Sequence, residues 1–278
     1  MTPRDADTPS SDALDGYAAS TFTSSVGTTH DVYRTGHGPA VIVIHEVPGI
    51  TPLVAAFGRR IAQRSMTAVL PDLFGSAGRP VTMGYALSSV ARACVSREFT
   101  ALATNKTSPV IAYLRELAEH EHHKCAGPGV GAVGMCLTGG FALAMCVDDT
   151  VVAPVLSQPS LPFPIGSARS RALGLSDADL HVVRRRLDDD LCVMGLRFSA
   201  DKKSPAARFN RLRQELGGNF IGVEIDSSPD NPWGIRAHAH SVLTEDLVDE
   251  PGSPTKAALE NVLDFLARRL GVAGPPPT

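Results

Sequence analysis

The chain has 278 residues, 43% of them hydrophobic, and a formal net charge of −3. That composition supplies a sizeable core and excludes global disorder, and 26 Lys and Arg against 29 Asp and Glu leave no basic surplus of the kind a nucleic-acid binder carries. Five cysteines, an odd number scattered along a long chain, argue against a disulfide framework and for a reducing, cytoplasmic compartment.

From the N-terminus, residues 1–16 are acidic, Ser-rich and polar, with no basic stretch leading into an apolar one. Residues 1–20 read as a flexible lead-in. Residues 40–44 (AVIVI) form a β-branched run, the mark of a strand buried on both faces. Leu53, Val54, Phe57 and Ile61 then follow helical spacing. Residues 67–70 (TAVL) are a second short strand, ended by Pro71 and Asp72. Ser108 and Pro109 open a helix with Val110, Ile111, Leu114 and Leu117 on one face.

Residues 126–147 carry no charge and have the length of a membrane span. Their glycines and Pro128 break that reading, and a strand at 130–135, a tight turn and a helix over 137–147 fit better. Further strands are expected at 151–156, 191–198 and 220–225. Ser204 and Pro205 introduce a helix that Gly217 and Gly218 stop, and Ser253 and Pro254 start a last one with Leu259, Val262, Leu263, Leu266 and Leu270 on one stripe. Residues 158–186, opening with Pro159, Pro162 and Pro164, break the rhythm and read as an excursion over the sheet edge, a candidate lid, with a short helix over 177–186. Strand–helix alternation of this kind builds an α/β fold, a mostly parallel central sheet covered by helices on both faces. We expect one domain over residues 21–270 and a short tail over 271–278.

In such a sheet, sites form at the carboxyl ends of strands. Glu46, Cys136, Asp201 and His240 stand there. Cys136 lies in Gly134-Met135-Cys136-Leu137-Thr138-Gly139-Gly140, a strand running through a glycine-flanked turn into a helix. That pattern is a nucleophile elbow, and the helix N-terminus behind it favours a thiolate; a buried inert cysteine at a strand–helix junction has the same sequence. No Gly-x-Ser-x-Gly occurs anywhere. His240, in Ala237-His238-Ala239-His240-Ser241, and Asp201, in Ser199-Ala200-Asp201-Lys202, each read equally as surface loop residues when taken alone. Together the three have the chain order nucleophile, acid, histidine of α/β-hydrolase triads.

Four stretches make the chain resemble the dienelactone hydrolase family: His45-Glu46-Val47-Pro48-Gly49, Pro71-Asp72-Leu73-Phe74, the Gly-x-Cys-x elbow at 134–137, and Asp201 followed by His240-Ser241. The resemblance covers about residues 30–270. It implies an α/β-hydrolase fold and cofactor-free hydrolysis of a small ester or lactone through an acyl-enzyme. It further implies Cys136 as nucleophile, His240 as base, Asp201 as its orienting carboxylate, Glu46 beside the thiol, and the backbone N–H groups of Leu137 and Val47 as the oxyanion hole. Two departures stand out. Thr138 occupies a position where the family has Gly, and the stretch Val242-Leu243-Thr244 lacks the family's carboxylate-binding Arg, leaving Arg92 and Arg97 as candidates for that charge.

Other features point to less. His45-Glu46 has Gly49 where a zinc protease motif needs its second His. The run 119–125 (EHEHHKC) is rich in metal-ligand types but too compact for a usual zinc site, and reads as a polar helix end. No Gly-x-Gly-x-x-Gly follows the first strand, so neither metal nor nucleotide is expected. Arg184 to Arg186 followed by Asp188 to Asp190 reads as a solvated, self-neutralising run. The expected partner is a small-molecule substrate, not nucleic acid or membrane, on a monomer or simple homo-oligomer. A quiet ligand-binding relative, or a redox sensor pairing Cys136 with Cys146 or Cys192, are the alternatives.

Overall fold

A computed structural model of the chain describes residues 11–82, 84–86, 89, 108–161 and 170–272. The candidate arginines Arg92 and Arg97 lie outside the described residues, as does part of the 158–186 excursion.

Eight strands form one sheet in the order β1-β2-β4-β3-β5-β6-β7-β8. They are β1 (Ala18–Thr23), β2 (Thr29–Gly36), β3 (Ala40–Ile44), β4 (Thr67–Pro71), β5 (Val130–Met135), β6 (Val151–Ser157), β7 (Val193–Phe198) and β8 (Phe220–Ile225). β1 and β2 pair antiparallel, β2 meets β4 antiparallel, and β3 to β8 run parallel. The strands expected from sequence are present, with β7 starting at Val193 rather than 191. The chain before residue 40 gave no strand signal, yet β1 begins at Ala18, inside the stretch read as a lead-in. Its burial pattern explains the omission: five of its six residues are exposed, so no apolar alternation marks it. What precedes it is anchored by polar bonds, Tyr17 Oη to Ala55 O at 2.6 Å and Arg59 Nη2 to Ala13 O at 2.7 Å.

Helices cover both faces: α1 (Pro52–Gln63), α2 (Pro109–Lys124), α3 (Gly139–Met145), α4 (Asp177–Asp188), α5 (Ala206–Leu216) and α6 (Pro254–Arg269). β3 shows how the sheet divides the core. Its side chains alternate across the sheet, so Val41 and Val43 pack with Val54, Phe57 and Ile61 of α1 and Leu259 and Val262 of α6. Ala40, Ile42 and Ile44 face the other way, toward Ile111 and Leu114 of α2, Phe141 of α3 and Phe209 of α5. The uncharged run 126–147 is thus a buried strand, a turn and a short buried helix. No helix among the described residues is long and apolar enough to cross a membrane.

Charged residues that read as solvent-facing take structural posts instead. Arg186 is not neutralised by its neighbours. Its Nη1 donates to Cys146 O at 2.8 Å, Asp148 O at 2.6 Å and Val151 O at 3.0 Å, joining the end of α3 to the start of β6. Glu121 of the EHEHHKC run is 1% exposed and paired with Arg34 at 2.6 Å. Among the described residues, no three His, Cys, Asp or Glu side chains are grouped to hold a metal ion.

Candidate functional site

The carboxyl ends of β3, β5, β6 and β7 and the loop after β8 converge on one cluster. β5 runs into a single 3-10 turn, Cys136–Thr138, before α3 begins at Gly139. The helix expected over 137–147 is therefore shorter and tighter at its start. Cys136 has φ of +56°, the left-handed region that a side-chain-bearing residue occupies at a cost of about 1–3 kcal/mol. Two glycines make this turn possible by close approach. A Cβ on Gly134 would lie 2.2 Å from Thr138 O, and one on Gly139 would lie 2.6 Å from Pro159 Cα.

Thr138, the departure from the family pattern, holds the turn together. It is fully buried, and its Oγ1 accepts from Met135 N at 3.0 Å. The same hydroxyl lies within donating distance of Met135 O at 2.8 Å, Ile44 O at 2.8 Å and His45 O at 3.2 Å. The elbow is thereby stitched to the end of β3, which carries His45 and Glu46.

Cys136, Asp201 and His240, far apart in sequence, come together here. His240 is 8% exposed and its Nδ1 lies 2.6 Å from Asp201 Oδ2. The carboxylate can only accept, so the proton sits on Nδ1 and Nε2 is directed the other way. Nε2 is buried with no regular hydrogen-bond partner among the described residues, and the group beside it is the Cys136 thiol. Burial works against the charged imidazole. The Asp201 hydrogen bond, the Cys136 contact and the charges of both outweigh it, and the His240 pKa is pushed up to about 10. Asp201 is 5% exposed; burial opposes its charge, but the His240 hydrogen bond and the backbone N–H groups of Lys203 and Ser204 draw its pKa below the usual carboxylate range.

The loops bearing these groups are held by side chains that sequence reading passed over. Arg197, at the end of β7 and 2% exposed, donates to Ser204 O at 2.8 Å and Ser199 O at 2.9 Å, fixing the loop of Asp201. Asp246 Oδ2 accepts from the backbone N–H of His240 at 2.8 Å and of Ser241 at 3.0 Å. Arg208, 2% exposed, donates from Nη1 to Pro159 O at 2.6 Å and from Nε to Ala172 O at 2.8 Å. Arg197 lies in a strand and Arg208 on a helix, each with a pattern that reads as ordinary structure, and only burial of the charged group marks them; Asp246 sits in a loop and is marked by its backbone contacts alone.

Glu46 is 4% exposed and accepts from Ser241 Oγ at 2.8 Å, from Gln158 Nε2 at 3.1 Å and from the Thr244 hydroxyl. These contacts tie it to the His240 loop and to the end of β6. Its neighbour His45 is wholly buried, accepts from Leu73 N at Nε2 (3.1 Å) and donates from Nδ1 to Glu46 O (3.1 Å). Val47 follows directly, and Leu137 follows Cys136; both are partly exposed, past the carboxyl ends of the paired parallel strands β3 and β5. His238 is exposed and lines a cavity of about 370 Å3 with Asp201, Lys202 and Lys203. Another residue sequence reading missed is Ser160. Its Oγ lies 3.3 Å from Cys136 Sγ.

The alternative cysteine pairings do not meet the geometry of a disulfide, which needs Cα atoms within about 7 Å. Cys146 caps the far end of α3, about 10 Å along a seven-residue helix, and its buried thiol donates to Ala142 O at 3.2 Å. Cys192 precedes β7, at the opposite end of the parallel strands from the Cys136 turn.

Against known proteins, a family model described as "Dienelactone hydrolase family" matches residues 26–172. No curated protein matches the sequence. Among solved structures, a Klebsiella pneumoniae protein described as a dienelactone hydrolase is 17% identical with TM-score 0.59, covering 91% of this chain and 100% of its own. A dienelactone hydrolase from Anabaena variabilis is 15% identical (TM-score 0.57, 92% and 99% covered). An esterase from Pyrococcus furiosus is 12% identical (TM-score 0.58, 95% and 96% covered). At these identities the likeness is one of fold.

Proposed function

The chain belongs to the dienelactone hydrolase family, and from that premise we propose that it is an ester-acting hydrolase that cleaves a small ester or lactone with Cys136 as nucleophile, His240 as base and Asp201 as the carboxylate that orients it. The observation that carries the reading is the arrangement of three side chains from three loops. A left-handed cysteine at the β5–α3 turn meets the free face of an imidazole whose other nitrogen is 2.6 Å from a buried carboxylate.

The chemistry follows from the charges. His240, made more basic by Asp201 and by the sulfur beside it, takes the thiol proton as general base while the sulfur attacks. The sulfur adds to the carbonyl carbon. The backbone N–H groups of Leu137 and Val47 are the donors proposed for the oxyanion. His240 gives its Nε2 proton to the leaving alkoxide, and a thioester remains on Cys136. Neutral His240 then takes a proton from water, hydroxide adds to the thioester, and the thiolate departs. Asp201 holds the imidazole in the right tautomer throughout. Glu46 acts at one remove, through Ser241 and Thr244, by fixing the loop that carries His240.

The test is p-nitrophenyl acetate hydrolysis by the whole chain and by Cys136→Ala. Loss of turnover in a variant with unchanged circular dichroism supports the reading. Turnover that survives the substitution rules out Cys136 as nucleophile, and binding without turnover in the unaltered protein marks a quiet family member.

A further inference from the structure

We propose that Ser160 is a further catalytic residue, whose hydroxyl donates a hydrogen bond to the Cys136 sulfur whenever that sulfur is negative, as it attacks and again as it leaves the acyl-enzyme. This inference rests on Cys136 acting as nucleophile. Ser160 Oγ is 3.3 Å from Cys136 Sγ, within hydrogen-bond range for sulfur, and the serine is 5% exposed. A thiolate has no proton to give, so opposite it the hydroxyl must be the donor.

The contact is built by the chain around it. Ser160 N donates to Cys136 O at 2.9 Å, so the two residues are joined through backbone as well as side chain. Pro159 O is held by the buried Arg208 at 2.6 Å, and Pro159 packs where Gly139 leaves no Cβ. Gln158, at φ of +35°, donates from N to Leu196 O at 2.8 Å and from its side chain to Glu46 at 3.1 Å. Three consecutive residues are thus pinned to the elbow, to β7, to α5 and to the end of β3. A left-handed glutamine in such a frame is retained where the geometry it fixes matters.

The hydroxyl completes the surroundings of the sulfur. His240 Nε2 approaches from one side and Ser160 from another. In deacylation, water gives a proton to neutral His240 and hydroxide adds to the thioester carbonyl. The C–S bond then breaks with its electron pair remaining on sulfur, and a carboxylic acid is released. Ser160 keeps its own proton throughout; it lowers the free energy of the sulfur anion formed, and the imidazolium left beside that sulfur returns the proton that closes the cycle. A hydrogen bond to a charged group is worth about 1.5–3 kcal/mol, so its loss should slow thioester breakdown by about tenfold or more.

The experiment is the pH dependence of iodoacetamide alkylation at Cys136, followed by peptide mass spectrometry, in the whole chain, Ser160→Ala and Ser160→Thr. Removing the donor should move the midpoint of the alkylation profile up by about one pH unit and lower kcat about tenfold, and the threonine hydroxyl should restore both. An Ala profile that superimposes on the wild-type one overturns the proposal, as does an upward shift that threonine does not reverse. Because alkylation reports the Ser160–thiol contact without ester turnover, it separates failure of this proposal from failure of Cys136 as nucleophile, which Cys136→Ala alone decides.

Discussion

The end of β3 and the loop after β8 each carry a buried histidine, and the two are driven in opposite directions. His45 is fully buried among backbone groups. Leu73 N–H fills Nε2 and Glu46 O takes the Nδ1 proton, and burial, outweighing the pull of the Glu46 carbonyl, pushes its pKa down to about 4. His240 is nearly as buried, but Asp201 and the Cys136 sulfur overcome the same penalty and push it up to about 10. Depth in the protein therefore does not set the charge of a histidine. The partners on its two nitrogens do: two neutral backbone groups make a structural strut, and a carboxylate with a thiol makes a titrating pair.

Exchanging each histidine for one that cannot titrate should break this symmetry most sharply. His240→Ala should lower ester turnover by about 10^3-fold or more while the fold survives, as expected for loss of a member of a catalytic triad. His45→Gln should leave the triad in place and cost stability. Turnover by purified variants, compared with their urea midpoints, tests this; comparable turnover in His240→Ala and the unaltered chain would show that the two histidines were assigned the wrong way round.

The pH dependence of stability sharpens the contrast. The folded His45 pKa, about 4, is below the ordinary histidine value of 6.5, so the unfolded chain binds the extra proton and stability rises with pH across that window. At 1.36 kcal/mol per pH unit the contribution approaches about 3 kcal/mol. His240 has the opposite sign. Its folded pKa is raised, so its contribution is complete below 6.5 and is lost as pH rises toward about 10. Asp72, 3.8 Å from His45, is pushed up to about 6, chiefly by burial, and opposes the His45 slope on the acid side. The His45 effect is therefore read as the difference between the unaltered chain and His45→Gln: that variant should lose the His45 acid-side term, and His240→Gln the alkaline-side term together with the part of the Asp201 acid-side term that His240 supplies.

Sequence reading reached the frame of the site through two kinds of signal. Buried parallel strands announce themselves as apolar runs, so β3 and β5 were legible to the residue. The elbow glycines flagged Cys136, and chain order joined it to Asp201 and His240. Edge strand β1 was silent because it is exposed. The supporting shell was silent for another reason. Arg197 in β7, Arg208 in α5, and Gln158 and Ser160 after β6 hold their positions through contacts to distant loops and strand ends, and a polar residue in sequence looks the same whether it faces solvent or a buried carbonyl. Thr138 was visible only as a departure from a pattern. Its hydroxyl contacts show why a β-branched residue is tolerated there. Thr138→Val keeps the shape but removes the hydroxyl, leaving buried backbone groups without their partner. The expected cost is about 1–3 kcal/mol, seen as a lower denaturation midpoint, with a smaller loss of turnover as the elbow loosens from β3. An unchanged midpoint would mean that the stitch to Ile44 O is dispensable.

The smallest expected effect concerns which substrates the charged pair meets. A carboxylated substrate needs a cation where it is desolvated, and such a charge-assisted bond is worth about 1.5–3 kcal/mol. Beyond His240 this chain offers Thr244, whose hydroxyl is bound to Glu46, followed by Glu245 and Asp246. Glu245 itself is held above the usual carboxylate range, first by burial and then by the charges of Glu46 and Asp246, which marks that side of the site as hostile to a further anion. Asp246 is engaged by Arg236 at 2.6 Å, so that arginine is already paired. A neutral lactone should accordingly exceed a carboxylated lactone of equal size in kcat/KM by about tenfold. Raising ionic strength should narrow the gap if the repulsion is felt through solvent. A preference for the carboxylated compound that disappears in Arg92→Ala or Arg97→Ala would instead place the missing cation on the segment between β4 and α2, and the acidic surroundings of Thr244 would no longer govern selectivity.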